Sequence, residues 1–149
     1  MYSSKSILVL CAGNSSRSQM AEAYLRFFNE GSGTYYSAGL ESHGVHPLTV
    51  QVMAEDNIDI SHHLSKTFHL FEGNQLNYLI TVCDAVRDQI PTSLVFKRHV
   101  HFSIPDPAVF EGGDSEKLQH FREVREMVKQ EILRFIGQEL LPKDQLSFP

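Results

Sequence analysis

The chain has 149 residues, of which 42% are hydrophobic and 21% charged, a balance that suits one globular domain with a sizeable core and excludes a disordered or fibrous chain. The net charge of −5 argues against nucleic acid or an anionic membrane as a general partner, and no apolar run approaches the roughly 18 residues of a membrane span. With only two cysteines a disulfide-stapled secreted scaffold is also excluded, so both read as thiols of a cytoplasmic chain, either inert or catalytic.

Met1 to Lys5 leads into an apolar stretch, Ile7 to Leu10, that is too short for a signal peptide. Ser6 to Leu10 has the character of a strand buried on both faces of a parallel sheet. Met20, Ala23, Tyr24, Phe27 and Phe28 then recur at helical spacing and predict a helix with that face in the core. It should stop at Asn29–Gly33, where glycine takes a left-handed cap. Thr34 to Ala38 is a second strand, and His46 to Glu55 a second helix with Pro47 in its first turn. A third strand is expected over Tyr78–Val82 and a fourth within Lys97–Phe102.

The last helix should begin near Asp114 and Ser115, with Leu118, Phe121, Val124, Val128, Ile132, Phe135 and Ile136 on its inner side. Arg122, Glu126 and Lys129 then make a solvated face of i,i+4 pairs, and the tail after Gly137 should fray. No linker or repeat divides the chain, so one domain is expected over 1–149, with its core at about 5–137. Alternating strands and helices predict an α/β parallel sheet with right-handed crossovers. In such sheets ligands bind at the carboxyl ends of the strands.

At that end of the first strand stands Cys11-Ala12-Gly13-Asn14-Ser15-Ser16-Arg17-Ser18. A cysteine followed six positions later by arginine is a weak signal alone. Here it lies in a small polar loop between a buried strand and a helix. Backbone N–H groups in such a turn converge on an anion, and the helix N-terminus adds partial positive charge. The oxyanion cradle is therefore read as Ala12, Gly13, Asn14, Ser15, Ser16 and Ser18. Arg17 supplies a planar fork for two oxygens of a tetrahedral anion. The same donors would stabilise a thiolate at Cys11 as the nucleophile. Gly13 permits close backbone approach, and Asn14 tolerates a left-handed turn.

The loop resembles the phosphate-binding loop of the low-molecular-weight protein tyrosine phosphatase superfamily, and the wider chain is similar to its thiol-linked arsenate reductase branch. The likeness runs from Ile7 to about Ile136. It takes in Gln19-Met20-Ala21-Glu22, Tyr36-Ser37-Ala38-Gly39, Gly44-Val45-His46-Pro47-Leu48, Ile58-Asp59-Ile60-Ser61, Ile80-Thr81-Val82-Cys83-Asp84, Asp106-Pro107-Ala108 and Phe121-Arg122-Glu123-Val124-Arg125. The resemblance implies a three-layer sandwich with a four-stranded parallel sheet in order 2-1-3-4, and a cytoplasmic monomeric enzyme with no bound cofactor. Asp106 takes the family's general-acid role; read alone, Asp-Pro is only a turn initiator.

Arsenate and phosphate match in shape and charge, so the cradle cannot separate them, but electrons can. Reducing arsenate needs a second thiol to attack the sulfur of a thiolate–arsenic adduct, whereas ester hydrolysis needs only water. The resemblance places a resolving cysteine at Cys83. In order 2-1-3-4 the first and third strands are neighbours about 4.8 Å apart, close enough for a disulfide. A packed, inert Cys83 is the alternative.

The chain departs from the family at several places. Thioredoxin-coupled members carry a further cysteine where Ile90 precedes Pro91, so their three-thiol relay cannot run here. The external reductant is then thioredoxin or glutaredoxin acting on a Cys11–Cys83 disulfide, or a low-molecular-weight thiol attacking the adduct. Lys66 stands where relatives have an aspartate that helps Asn14, Glu22 and Ser37 bind potassium, so activity independent of potassium is expected. Ser16 replaces a further loop cysteine. Ala108 and Val109 follow Asp-Pro where phosphatases place aromatic walls worth about 0.5–1.5 kcal/mol per contact, with Phe110 a partial substitute. His99 and His101 share one strand face, as zinc ligands would, yet no ligand spacing is completed by Cys or carboxylate, and no metal is predicted.

Overall fold

A computed structural model describes residues 4–141. Strand β1 (Lys5–Cys11) buries Ile7, Leu8, Val9 and Leu10 completely, as a parallel strand covered on both faces does. It pairs in parallel with β2 (Gly33–Gly39) and β3 (Gln75–Thr81), and β3 pairs with β4 (Val95–His101), giving the order β2-β1-β3-β4. Helices α1 (Arg17–Phe28), α2 (Pro47–Glu55) and α4 (Asp114–Phe135) flank this sheet, with a four-residue helix α3 (Asp84–Arg87) after β3. The fold is therefore the α/β parallel sheet expected from the sequence pattern, in the order 2-1-3-4 that the family resemblance implied.

Alternation along β2 separates the two faces. The Tyr35 hydroxyl donates to the Asn29 carbonyl at the end of α1, at 2.8 Å, while Tyr36 packs on Phe71 of a 3₁₀ turn, Phe68–Phe71, with ring centroids 4.9 Å apart. α1 thus covers one face and that turn the other. Among the described residues, no helix is long and apolar enough to cross a membrane.

Several boundaries differ from expectation. Cys11 belongs to β1, opposite Gly39. β3 starts at Gln75 and ends before Val82, and β4 starts at Val95, because the pairs Gln75–Val95 and Leu76–Phe96 extend the ladder into polar sequence. Phe27 and Phe28, expected in the core, are 55% and 38% exposed. Met20, Ala23 and Tyr24 of the same predicted stripe are buried, so only its last turn lies outside the core. Polar contacts tie α1 to β2 beside it: Glu22 meets Ser37, and Arg26 and Asn29 meet Tyr35.

The outer face of α4 is not simply solvated. Arg122 holds Glu55 at 2.8 Å, Arg125 holds the same carboxylate at 2.8 Å, and Lys129 reaches Asp56 at 2.8 Å. These pairs clamp the C-terminal end of α2, and the Tyr24 hydroxyl donates to Asp56 at 2.6 Å. The chain after Gly137 does not fray at once: Ile136–Leu140 form a π-helical turn. The rest of that predicted tail lies outside the described residues.

Two imidazoles are packed into this frame. His46 precedes α2, accepts from Leu48 N–H at Nδ1 and packs against Phe121; burial lowers its pKa, although Asp106 pulls the other way. Burial likewise lowers that of His63, which bonds Gln19. Below about pH 6.5 the unfolded chain therefore binds protons that the folded chain refuses. Their contribution is complete above that pH and is lost as pH falls through the folded-state values. Thermal melts should show Tm falling as pH drops below about 6.5, with a shallower slope in a His46→Asn/His63→Gln double variant. A flat wild-type profile would contradict this.

Candidate active site

The carboxyl end of β1 is wrapped by the segment that follows β2. N–H groups of Leu40, Glu41, His43 and His46 donate to the carbonyls of Cys11, Ala12, Gly13 and Ser15, at 3.1, 2.9, 3.0 and 3.0 Å. In a trans peptide the N–H points opposite to the carbonyl before it. Drawing four carbonyls outward therefore aims the next N–H groups inward, those of Ala12, Gly13, Asn14 and Ser16. This belt was not legible as part of the site. Its signal was Gly39, where a Cβ would fall 2.7 Å from Asn14 N and 2.8 Å from Ala12 O.

Asn14 holds the loop from within. It is fully buried, with φ 50°. The Lys66 N–H, which can only donate, bonds one side of its amide at 2.8 Å and so identifies that atom as Oδ1. Nδ2 then donates to Ser18 Oγ at 2.9 Å and to Ser37 Oγ at 3.0 Å. Because Ser18 Oγ accepts there, its own O–H is free to point at Cys11 Sγ, 2.7 Å away. Asn14 N–H supplies a second donor to the sulfur at 3.3 Å. The direction of this chain favours a sulfur anion.

Asn14→Ala would strand several of these buried groups, each costing about 1–3 kcal/mol, and would also put a Cβ-only residue at a left-handed φ. Stability should drop by about 3 kcal/mol in urea unfolding. A loss under about 1 kcal/mol would mean the loop stands without it.

Arg17 opens α1, with a side chain only 11% exposed. It donates to Ile104 O at 3.0 Å and lies 3.7 Å from Asp106 Oδ2. Asp106 caps the 3₁₀ turn Pro107–Val109, its Oδ1 accepting from Ala108 N at 2.9 Å, while Oδ2 faces the guanidinium. Ser16 Oγ accepts from Thr49 at 2.9 Å, and Ser15 lies beside it. Val109 is 72% exposed. Phe110 does not replace the missing aromatic walls, because its ring stacks on His120 of α4 at 4.5 Å.

Cys83 is buried and free, as is Cys11. It is not the counterpart of Cys11 on the neighbouring strand. Leu10 pairs with Thr81, so Cys11 stands one residue past that pair and Cys83 two past it, immediately before α3. A groove lined by Ala12, Arg17, Cys83, Pro105 and Asp106 nevertheless joins it to the loop.

The oxygens of the expected potassium position already take donors. Asn14 Oδ1 accepts from Gln19 and Lys66 N, and Glu22 accepts from Ser37 and Arg26. The ammonium of Lys66 bonds Leu64 O at 2.8 Å. This donor set does not fit a bound cation. Among the described residues, no three His, Cys, Asp or Glu side chains gather in a metal-holding group. His99 and His101 instead share the hydroxyl of Thr81.

Comparison with known proteins matches residues 6–146 to the family described as low molecular weight phosphotyrosine protein phosphatase. An arsenate reductase of Halalkalibacterium halodurans is 40% identical over 131 residues, covering 88% of this chain and 94% of its own. One from Shouchella clausii is 36% identical over 133 residues, covering 89% and 96%. A solved arsenate reductase in its oxidised state superposes with TM-score 0.78 at 30% identity, covering 90% of this chain and 98% of its own.

Proposed function

The chain belongs to the low molecular weight phosphotyrosine protein phosphatase family, and within it we propose that it is a thiol-dependent arsenate reductase of the cytoplasm, acting as a monomer without a bound cofactor. The carrying observation is a second buried thiol, Cys83, on the groove that contains Arg17 and Asp106. Hydrolysis alone has no use for it there.

In this reading, the inward N–H groups and Arg17 hold the oxyanion over Cys11. The thiolate attacks arsenic, and the departing oxygen leaves as water with a proton from Asp106. The sulfur of Cys83, its proton lost to solvent, then attacks Cys11 Sγ. The S–As bond breaks with its electron pair staying on arsenic, so arsenate becomes arsenite and two thiols become one disulfide. Thioredoxin, glutaredoxin or a small thiol restores the dithiol. If a small thiol instead attacks the adduct, it takes the place of Cys83.

The second reading, phosphate-monoester hydrolysis, draws on the same loop and on the family. The absence of ring walls beside Asp106 weighs against phosphotyrosine as the preferred substrate. The deciding assay compares arsenate-dependent thiol oxidation with aryl-phosphate hydrolysis in wild type and Cys83→Ser. With Cys83 as the resolving thiol, the reductase reading expects arsenate turnover in wild type, its loss in Cys83→Ser, and hydrolysis kept in both; with a small thiol in that place, turnover survives in Cys83→Ser. Wild-type protein that hydrolyses the ester but never reduces arsenate would be a phosphatase. Mass spectrometry after one turnover separates an internal disulfide from a small-thiol adduct on Cys11.

A further inference from the structure

The sulfur of Cys83 caps nothing in α3, so its position depends on how its turn is held. Ahead of it, Val82 N–H donates to Leu10 O at 3.2 Å and Phe102 N–H to Thr81 O at 2.9 Å. Past it, Val86 and Arg87 N–H groups donate to Cys83 O within the turn of α3, at 3.2 and 3.3 Å, and side chains tie that turn to β4. Thr81, fully buried, sits opposite His101 in the ladder. Its hydroxyl lies 2.7 Å from His101 Nδ1 and 2.8 Å from His99 Nε2. His101 Nε2 lies 2.8 Å from Oδ1 of Asp84, the residue directly after Cys83.

A carboxylate only accepts, so His101 Nε2 carries a hydrogen and donates it to Asp84. The other ring nitrogen, Nδ1, is hydrogen-bonded to the Thr81 hydroxyl. Hydrogen bonds from Ser103 and from His101 hold the Asp84 carboxyl below the usual carboxylate range, as expected for an anchored anion.

We propose that His101 is a positioning residue for the thiol of Cys83: bridging Thr81 and Asp84, it clamps the Cys83 turn to β4 and keeps its sulfur on the groove beside the loop. The role rests on the reading of Cys83 as the resolving thiol. It is separable from arsenate chemistry, because closure of a Cys11–Cys83 disulfide can be driven by oxidised glutathione. Two protein thiols then become a disulfide and one oxidised glutathione becomes two reduced molecules.

The test follows disulfide closure by mass spectrometry in the full chain, beside aryl-phosphate hydrolysis. His101→Phe should close roughly tenfold more slowly or worse, since small misplacements of reacting atoms carry such penalties, while hydrolysis stays at the wild-type rate. His101→Gln, whose amide can donate to Asp84 and accept from Thr81, should recover most of the closure rate. Asp84→Ala cuts the clamp from its exposed end and should show the same slow closure even if His101→Phe does not fold. Closure at the wild-type rate in both cut variants overturns the proposal. So does a fall of hydrolysis in step with closure, or no recovery in His101→Gln. Failure of wild type to reduce arsenate would strike the functional reading and leave these thiol rates to stand or fall separately.

Discussion

Cys11→Ser is expected to lose both arsenate-dependent thiol oxidation and aryl-phosphate hydrolysis, by a factor of roughly 10⁴ or more. The substituted oxygen would meet the same two donors, Ser18 O–H and Asn14 N–H. Those donors favour an anion, yet a serine hydroxyl remains neutral under them, and no base lies in the loop to take its proton. The fold should be kept, because the side chain is small and its hydrogen bonds survive. Assays of both reactions on the folded variant check this, and residual activity within about tenfold of wild type would remove Cys11 from the chemistry. A companion measurement needs no variant. Iodoacetamide should alkylate Cys11 before Cys83, and arsenate or phosphate should protect it. If Cys83 reacts first, or the oxyanions give no protection, the nucleophile has been misplaced.

Arg17→Lys should lower kcat/KM for both reactions by roughly 10²–10³. The charge is kept, so a simple electrostatic account predicts little change. The fork is what disappears. One arm of the guanidinium is committed to Ile104 O and another faces Asp106 Oδ2, which ties the anion cradle to the loop after β4 that presents the acid. A lysine has one point charge and cannot hold the carbonyl, the carboxylate side and two oxyanion oxygens in one plane. Because arsenate and phosphate share shape and charge, the two losses should be similar. Loss of one activity alone would mean that Arg17 serves only that reaction. Wild-type rates in Arg17→Lys would show that charge suffices.

Much of the site was legible because its residues are contiguous. Cys11 to Ser18 form one loop at the end of one strand, and the chemistry of a strand–loop–helix anion cradle depends on local backbone and residue type. Asp106 and Cys83 were reached only through family resemblance, since Asp-Pro and a strand-end cysteine are common. Phe27 and Phe28 were misread because helical spacing cannot say how far along a helix the core extends. Met20, Ala23 and Tyr24 of the same stripe are buried, while its last turn lies beyond the core. Arg122 and Lys129 were taken for surface pairs because their partners, Glu55 and Asp56, are more than sixty residues away along the chain.

From its order of residues alone this chain determined a parallel sheet, its buried central strand and a cysteine–arginine loop at that strand's carboxyl end. Those features follow from apolar runs, small turn residues and local hydrogen bonding, all of which act over a few positions. Only the tertiary structure decided which way the loop's N–H groups point, through the belt from Leu40 to His46. It alone decided that Lys66 orients the Asn14 amide, and that Cys83 stands one residue out of step with Cys11. Each of these depends on strand register and on contacts between distant segments, where a shift of one residue redirects every side chain and spacing along the chain carries no record of it.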